Sequence, residues 1–341
     1  MYVTYSGQMN NMSTLIIFFS LIVLIQAKTL PSDFMLLGLT PITPLINGLP
    51  CQAYRPFLGE NTDYLCSKVP HLHQILYQSN LESRERCRYH FRDHPWGCQL
   101  SSKLVPLRRF LRQASKEASF YTTLTSATLT LNLINACIRG QINDTDCLCS
   151  KPGQLCQIDS KIAFQLSHLI TDGMNMTKTF QQKFLFQLNQ ANKELGRKIV
   201  QSLMKKECRC HGVSGSCELQ ICRLHPAKLD DMSSEIYLNA YQNARYMESS
   251  EFLALNERTQ LFYARKSINY CRSNSFIDYQ GITQGRECFS NDGCEQVCCH
   301  HGYEVITEMK SIANCHCYFS WNIVNVQCQP CEKKITKMIC T

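Results

Sequence analysis

Residues Glu207–Cys222 read ECRCHGVSGSCELQIC. Cysteines at 208, 210, 217 and 222 bracket a short loop, His211-Gly212-Val213-Ser214-Gly215-Ser216. Cys208 and Cys210 are two apart, so on a strand they point to the same side. Cys217 and Cys222 return on the other arm. If the segment is a hairpin, Cys210 meets Cys217 and Cys208 meets Cys222, and such nested bridges satisfy the short separation a disulfide requires. Gly212 and Gly215 permit tight, positive-φ geometry. The predicted object is a stiff finger over 208–222 with the Ser214 hydroxyl at its tip.

The construction recurs near the end of the chain. Cys315 and Cys317 form a second C-x-C, answered by Cys328 and Cys331. Nesting pairs Cys317 with Cys328 and Cys315 with Cys331. The outward arm carries Tyr318, Phe319 and Trp321. Aromatic side chains on a rigid hairpin suit a binding tip, although rings of this kind also pack locally.

The whole chain has 341 residues, 22 cysteines and a net charge of +8. An even, clustered set of cysteines this dense predicts an oxidising compartment and a disulfide framework. Leu15–Ile25 is an apolar run too short to span a bilayer, with the small residue Ala27 soon after it. It reads as a secretory signal peptide over 1–27. Secretion through the endoplasmic reticulum into the extracellular space or matrix follows. Asn143-Asp-Thr and Asn175-Met-Thr are glycosylation sequons. The basic residues are scattered in short pairs such as Lys205-Lys206, which excludes a nucleic-acid groove.

Cysteine spacing divides the mature chain. Residues 28–225 are expected to form a helical domain that carries the 208–222 finger. Phe110–Asn135 lacks Pro and Gly and repeats apolar residues at Phe120, Leu124, Ala127, Leu131 and Ile134, predicting one helix diluted by threonines. Ile158–Met204 predicts one or two helices with a break near Asp172-Gly173 and an apolar face including Phe180, Phe184, Leu188 and Leu195. Residues 226–265 read as a connector, helical near Ser234–Leu255. From 266 to 341 the chain is a small cysteine-rich domain with short β-like runs at Tyr303–Ile306 and Ile323–Val326. Bridges there substitute for a core. The fold class is α+β and disulfide-rich.

Two rival chemistries fail on these residues. Cys208-Arg-Cys210-His211 holds zinc-ligand types, but so many cysteines in a secreted chain favour disulfides, so no metal is expected. A nucleophile elbow needs G-x-S-x-G, whereas the fifth position here is Ser216. No catalytic residue is expected, and the chain is read as a non-enzyme.

The stretch C-R-C-H-G-V-S-G-S-C at Cys208–Cys217 resembles the signature of the Wnt family of secreted signalling glycoproteins. Other segments resemble that family too: Glu85-Arg-Cys87 through Phe91 to Trp96-Gly-Cys98, Glu117-Ala-Ser-Phe120, Ala136-Cys137-Ile-Arg-Gly140, Asn192 with Gly196-Arg197-Lys198, Gly293-Cys-Glu-Gln-Val-Cys298-Cys299, and Cys315-His-Cys317. The resemblance runs from about Cys51 to Cys340. It implies the pairs Cys51–Cys66, Cys87–Cys98, Cys137–Cys147, Cys149–Cys156, Cys271–Cys299, Cys288–Cys294 and Cys298–Cys340.

The resemblance further implies a palmitoleoyl ester on Ser214, added in the endoplasmic reticulum by the membrane-bound O-acyltransferase Porcupine, with no cofactor. At ~0.8 kcal/mol per buried methylene, a dozen contribute roughly 10 kcal/mol before ordering costs, enough to associate the chain with membranes and to require a carrier. The implied partners are the Wntless carrier, the cysteine-rich domain of Frizzled and a low-density-lipoprotein-receptor-related co-receptor. The implied receptor-binding residues are His211, Gly212, Val213, Ser214 and Gly215 on one finger and Tyr318, Phe319 and Trp321 on the other. Several positions depart from the family. Asn322 and Ile323 stand where it usually has two adjacent cysteines, the second tip is one residue longer, Tyr318 replaces a basic residue, and the Cys149–Cys156 segment is short. A secreted lipid-handling or lipid-transfer protein and an extracellular structural protein that lost signalling are the alternative classes.

Overall fold

The structure is a computed structural model. It describes residues 51, 55–100, 104–143, 147, 161–172, 179–218, 220–254, 260–271, 283–321 and 324–341. The signal segment 1–27, Asn175 and the Cys149–Cys156 pair lie outside the described residues. The chain divides into two compact units: Met1–Arg86 with Ser101–Ser267, and Cys87–Leu100 with Ile268–Thr341.

The first unit is built on helices α1 (Thr62–Lys68), α2 (Leu72–His90), α3 (Leu104–Arg112), α4 (Lys116–Ile138), α5 (Lys161–Thr171) and α6 (Phe180–Leu203). Strands β1 (Lys205–Cys210) and β2 (Gln220–His225), helix α7 (Leu229–Glu235), strand β3 (Arg245–Tyr246), helix α8 (Ser249–Ala254) and strand β4 (Phe262–Tyr263) follow. The first boundary between the units falls inside α2. The predicted single helix over Phe110–Asn135 is two. Ala114 takes φ 49, a left-handed conformation that no helix continues through, and Ser115 caps α4 by accepting a hydrogen bond from the Ala118 amide.

Helix α4 is buried on every side and not along one stripe; Phe120, Leu124, Leu129 and Leu133 are all inaccessible. Its threonines make this possible. Thr122, Thr123, Thr125, Thr128 and Thr130 each donate a hydroxyl proton to the carbonyl four residues back, at 2.8–3.0 Å. Each buried hydroxyl is thereby satisfied within the helix, so a threonine counts as an apolar surface to its neighbours. Helix α6 starts at a capping box between Thr179 and Gln182. It approaches α4 closely at Gly196, where an added Cβ would lie 2.4 Å from the Thr123 carbonyl oxygen. The Ser126 hydroxyl donates to the Lys193 carbonyl at 3.0 Å across this seam. Phe180, expected in the core, is exposed, whereas Phe184 and Leu188 are buried.

Two buried cations tie α5 to α6, and Lys193 Nζ donates to the Thr171 carbonyl at 2.6 Å. Arg197, 2% exposed at its side chain, donates to both Asp172 carboxylate oxygens, to the Thr171 hydroxyl and to Glu194 at 2.8–3.2 Å. His168 Nδ1 lies 2.7 Å from Asp172. Burial pushes the Asp172 carboxyl up, but the His168 hydrogen bond and the Arg197 charge outweigh it and hold it below its ordinary value.

The expected 226–265 connector is instead part of the first unit. A π-helical turn at Ile236–Tyr241 continues α7 and packs on the start of α4, with Tyr241 5.5 Å from the Phe120 ring. β3 and β4 pair in parallel, and Met247, Phe252 and Phe262 join Ala114, Phe184, Leu188 and Ala191 in one apolar cluster. Asn192 clamps β4 through its side-chain amide, donating to the Phe262 carbonyl at 2.8 Å and accepting from the Phe262 amide at 3.0 Å.

The second unit contains β5 (Glu287–Cys288), α9 (Asn291–Val297), β6 (Tyr303–Ser320) and β7 (Asn325–Cys340) in the sheet order β5-β7-β6. Its core is small: Cys288, Cys294, Val297, Cys298 and Cys340, flanked by Tyr303 and Met338. The Cys87–Cys98 bridge closes a loop whose Phe91 and Trp96 rings meet edge to face at 4.7 Å and are fully buried. Into this loop reaches Arg286. Its guanidinium donates to the carbonyls of Arg92, His94 and Pro95 at 2.6–3.1 Å. Gly97 leaves room for it, since a Cβ there would lie 2.5 Å from the guanidinium carbon.

Candidate functional site: two stapled fingers

In the first finger, β1 and β2 run antiparallel with Lys205 opposite His225, Cys208 opposite Cys222 and Cys210 opposite Gln220. Cys208 is disulfide-bonded, and the register sets its Cα opposite that of Cys222. Cys210 bonds Cys217, which lies in the loop ahead of the first residue of β2, with Cα atoms 4.5 Å apart. The ladder and the loop bridge leave the tip little freedom.

Three backbone hydrogen bonds shape the tip: Gly212 N to Ser216 O at 2.8 Å, Gly215 N to Gly212 O at 2.9 Å, and Ser216 N to Val213 O at 3.2 Å. The two glycines serve different needs. Gly215 has φ 77, as expected, but Gly212 has φ −70. Gly212 is required by space, because a Cβ would fall 2.1 Å from Ser216 Oγ and 2.5 Å from Ser216 O. The residue in the unexpected conformation is Ser214 itself, with φ 59 and ψ 25. A non-glycine residue there costs roughly 1–2 kcal/mol, which the stapled turn must supply.

The left-handed step turns Ser214 outward. It is exposed, and its hydroxyl makes no hydrogen bond among the described residues. His211 and Gly215 are exposed, Gly212 is half-buried, and Val213 is 88% exposed. Ser216, the other hydroxyl of the loop, is half-buried and lies against Gly212. The geometry therefore distinguishes two serines that the sequence sets two positions apart.

The second finger is longer than its sequence suggests. The pairing of β6 with β7 is continuous from Tyr303–Cys340 to Ile312–Cys331, shifts register, then resumes from His316–Gln329 to Ser320–Asn325. The short run expected at Tyr303–Ile306 opens β6; of the run expected at Ile323–Val326, Asn325 and Val326 open β7, Val324 lies in the turn before it, and Ile323 lies outside the described residues. Cys315–Cys331 spans the shift and Cys317–Cys328 joins residues directly opposite each other. An unsupported two-stranded hairpin is marginal in water, so staples at the shift hold the distal part in register.

The tip has two unlike faces. Phe319 pairs with Val326, and Phe319 meets the Trp321 ring edge to face at 4.9 Å. Trp321 is 82% exposed, and Val324 and Val326 are exposed as well. On the alternate positions, Tyr318 donates its hydroxyl to Gln327 at 3.0 Å. Val326, directly opposite Phe319, extends the aromatic surface, and the sequence does not show this because its face depends on the length of the turn.

The structure also forms Cys51–Cys66, Cys137–Cys147, Cys271–Cys299, Cys288–Cys294 and Cys298–Cys340. The sulfurs of Cys288, Cys298 and Cys340 lie together, but all three belong to these bridges and offer no thiolate to a metal. Asn143 is exposed, with its side-chain amide donating to the Ser67 carbonyl at 3.2 Å. Among the described residues no helix is long and apolar enough to cross a membrane.

The family profile described as "wnt family" matches residues 55–341. Protein Wnt-2b-A from Xenopus laevis is 29% identical over 309 residues, which are 84% of this chain and 87% of that protein. A chain in the structure of human WLS in complex with WNT8A superposes with a TM-score of 0.63 at 26% identity, covering 82% of this chain and 98% of that one. The Drosophila WntD N-terminal domain-linker aligns at a TM-score of 0.40 and 16% identity over 58% of this chain and 97% of that one, too distantly to carry an argument. With a family match over nearly all the described residues and a shared fold, the chain belongs to the Wnt family, whose members are signalling ligands and not enzymes.

Proposed function

We propose that this chain is a secreted Wnt ligand that carries a palmitoleoyl ester on Ser214 and engages the cysteine-rich domain of a Frizzled receptor with both fingers. The observation that carries the reading is the tip of the first finger. A single exposed hydroxyl, without a hydrogen-bond partner among the described residues, is turned outward by a left-handed residue on a bridged loop. A rigid mount of this kind lowers the entropy lost when an attached acyl chain enters a groove. Val213 adds apolar surface beside it, and the Phe319, Trp321 and Val326 face of the second finger supplies the other contact.

The biosynthetic partners follow from the same chemistry. A membrane-bound O-acyltransferase, Porcupine, installs the ester in the endoplasmic reticulum. An exposed acyl chain then needs a carrier through the secretory route, and the Wntless protein takes that role. The similarity to a chain in the complex of human WLS with WNT8A supports this part. A low-density-lipoprotein-receptor-related co-receptor completes the signalling assembly, and Asn143 and Asn175 carry glycans on the secreted form.

The test is receptor binding. Ser214→Ala should lose at least tenfold in affinity for a Frizzled cysteine-rich domain, while Ser216→Ala keeps it. Equal affinity for Ser214→Ala and wild type would overturn the reading. A lipid-handling enzyme would instead require Ser214 to react with an active-site serine probe, and no reaction is expected.

A further inference from the structure

The outer edge of β6 remains after the fingers are accounted for. In the sheet order β5-β7-β6, no strand pairs with that edge among the described residues. From Tyr303 to Ile312 the ladder to β7 is regular, with the first register shift beyond Ile312. A regular, uncovered edge is a template for another strand unless proline, a bulge or charge blunts it. β7 is blunted, with Pro330 and three lysines, Lys333, Lys334 and Lys337, and part of its other edge is taken by β5. Over Tyr303–Ile312 β6 has neither a proline nor a bulge, and its three charges, Glu304, Glu308 and Lys310, are of both signs, so they can pair across an edge where the lysines of β7 would repel.

Its side chains match a second copy of themselves. We propose that two copies of this chain pair antiparallel, β6 against β6, about a twofold axis through Thr307. In that register Glu304 of each copy faces Lys310 of the other, Val305 faces Met309, Ile306 faces Glu308, and the two Thr307 residues meet. Opposite charges and apolar pairs directly across a ladder are each stabilising. Val305 and Met309, both 61% exposed in the single chain, would be covered together. Glu304, Thr307 and Lys310 are exposed as well, so the edge is open to a partner. A one-residue shift would set opposite faces against each other, and a two-residue shift either way would set Glu304 against Glu308 or Glu308 against its own copy, so the alignment through Thr307 is the favoured one. The contact is isologous and closes as a dimer without propagating.

The test uses the full chain, expressed in two tagged forms and extracted in detergent so that any acyl group is masked. Glu304→Lys and Lys310→Glu each create two like-charge pairs across the axis and should lower mutual capture at least tenfold. The double variant Glu304→Lys/Lys310→Glu restores both pairs and should return to within twofold of wild type. No capture of wild type, capture unchanged in the single variants, or a double variant no better than either single one overturns the proposal. Hydrogen exchange on the unaltered chain gives an independent reading. Amides in 304–310 should slow as concentration rises, and exchange that is the same at all concentrations contradicts the pairing.

Discussion

Gly196→Ala sets two effects against each other. Alanine is the better helix former by about 1 kcal/mol, so propensity alone predicts a more stable α6. The packing predicts the reverse. The new Cβ would lie 2.4 Å from the Thr123 carbonyl oxygen, and also 3.2 Å from the Ala127 amide nitrogen. Both are backbone atoms of α4, so no side-chain rotation relieves the contact. Contacts below 3.0 Å are not sustained, so the helices must open by at least 3.0 − 2.4 = 0.6 Å. The Ser126–Lys193 hydrogen bond at 3.0 Å would then stretch to about 3.6 Å, outside bonding range, losing ~1 kcal/mol. Overpacking adds ~1–3 kcal/mol. After the propensity gain the net loss is ~2 kcal/mol. Urea unfolding of the oxidised chain, followed by far-ultraviolet circular dichroism, should show a midpoint lowered by roughly 0.7–1 M at a slope of ~2–3 kcal/mol/M. A midpoint equal to or above wild type would refute the close α4–α6 seam.

Other perturbations test the remaining elements. Asp172 has a depressed carboxyl, so its contribution to stability is complete above the ordinary carboxylate value and is lost as pH falls through the lower folded value. Asp172→Asn should therefore lower stability at neutral pH and flatten the acid limb of the stability–pH profile, the two proteins converging in strong acid. Asn192→Ala removes both hydrogen bonds to Phe262 and should cost ~2 kcal/mol, read as faster hydrogen exchange at the Phe262 amide with little change in β1 and β2. Gly212→Ala forces the 212–216 loop to rearrange and should lower acylation of the chain severalfold, whereas Ser216→Ala leaves acylation intact; labelling with a clickable fatty-acid analogue measures both.

The parts legible in the sequence were those set by local spacing. The C-x-C pairs and their answering cysteines gave the two hairpins, because strand alternation and disulfide reach act over a few residues. The break near Asp172 and the buried face at Phe184 and Leu188 followed from apolar period and helix breakers. The full burial of α4 did not, because a threonine that bonds its own helix is scored as polar by any apolar pattern. The helix start at Ser115 was hidden because Ala114, in its left-handed conformation, is an ordinary helix former by propensity.

Long-range polar contacts were equally silent. Arg286 fills a loop about 190 residues earlier in the chain, and only Gly97 hints at the space it needs. The 226–265 segment looked like a polar connector because its apolar residues are sparse. Met247, Phe252 and Phe262 gain a core only when they meet Phe184 and Leu188 from α6. At the first tip the motif located Ser214, but its positive φ was assigned to the neighbouring glycines.

Mass spectrometry of the Cys210–Cys217 loop peptide from the secreted chain bears most directly on the role given to the first finger. The account predicts a mono-unsaturated acyl ester on Ser214 and an unmodified Ser216. A secreted, receptor-binding chain whose Ser214 hydroxyl is free would contradict it.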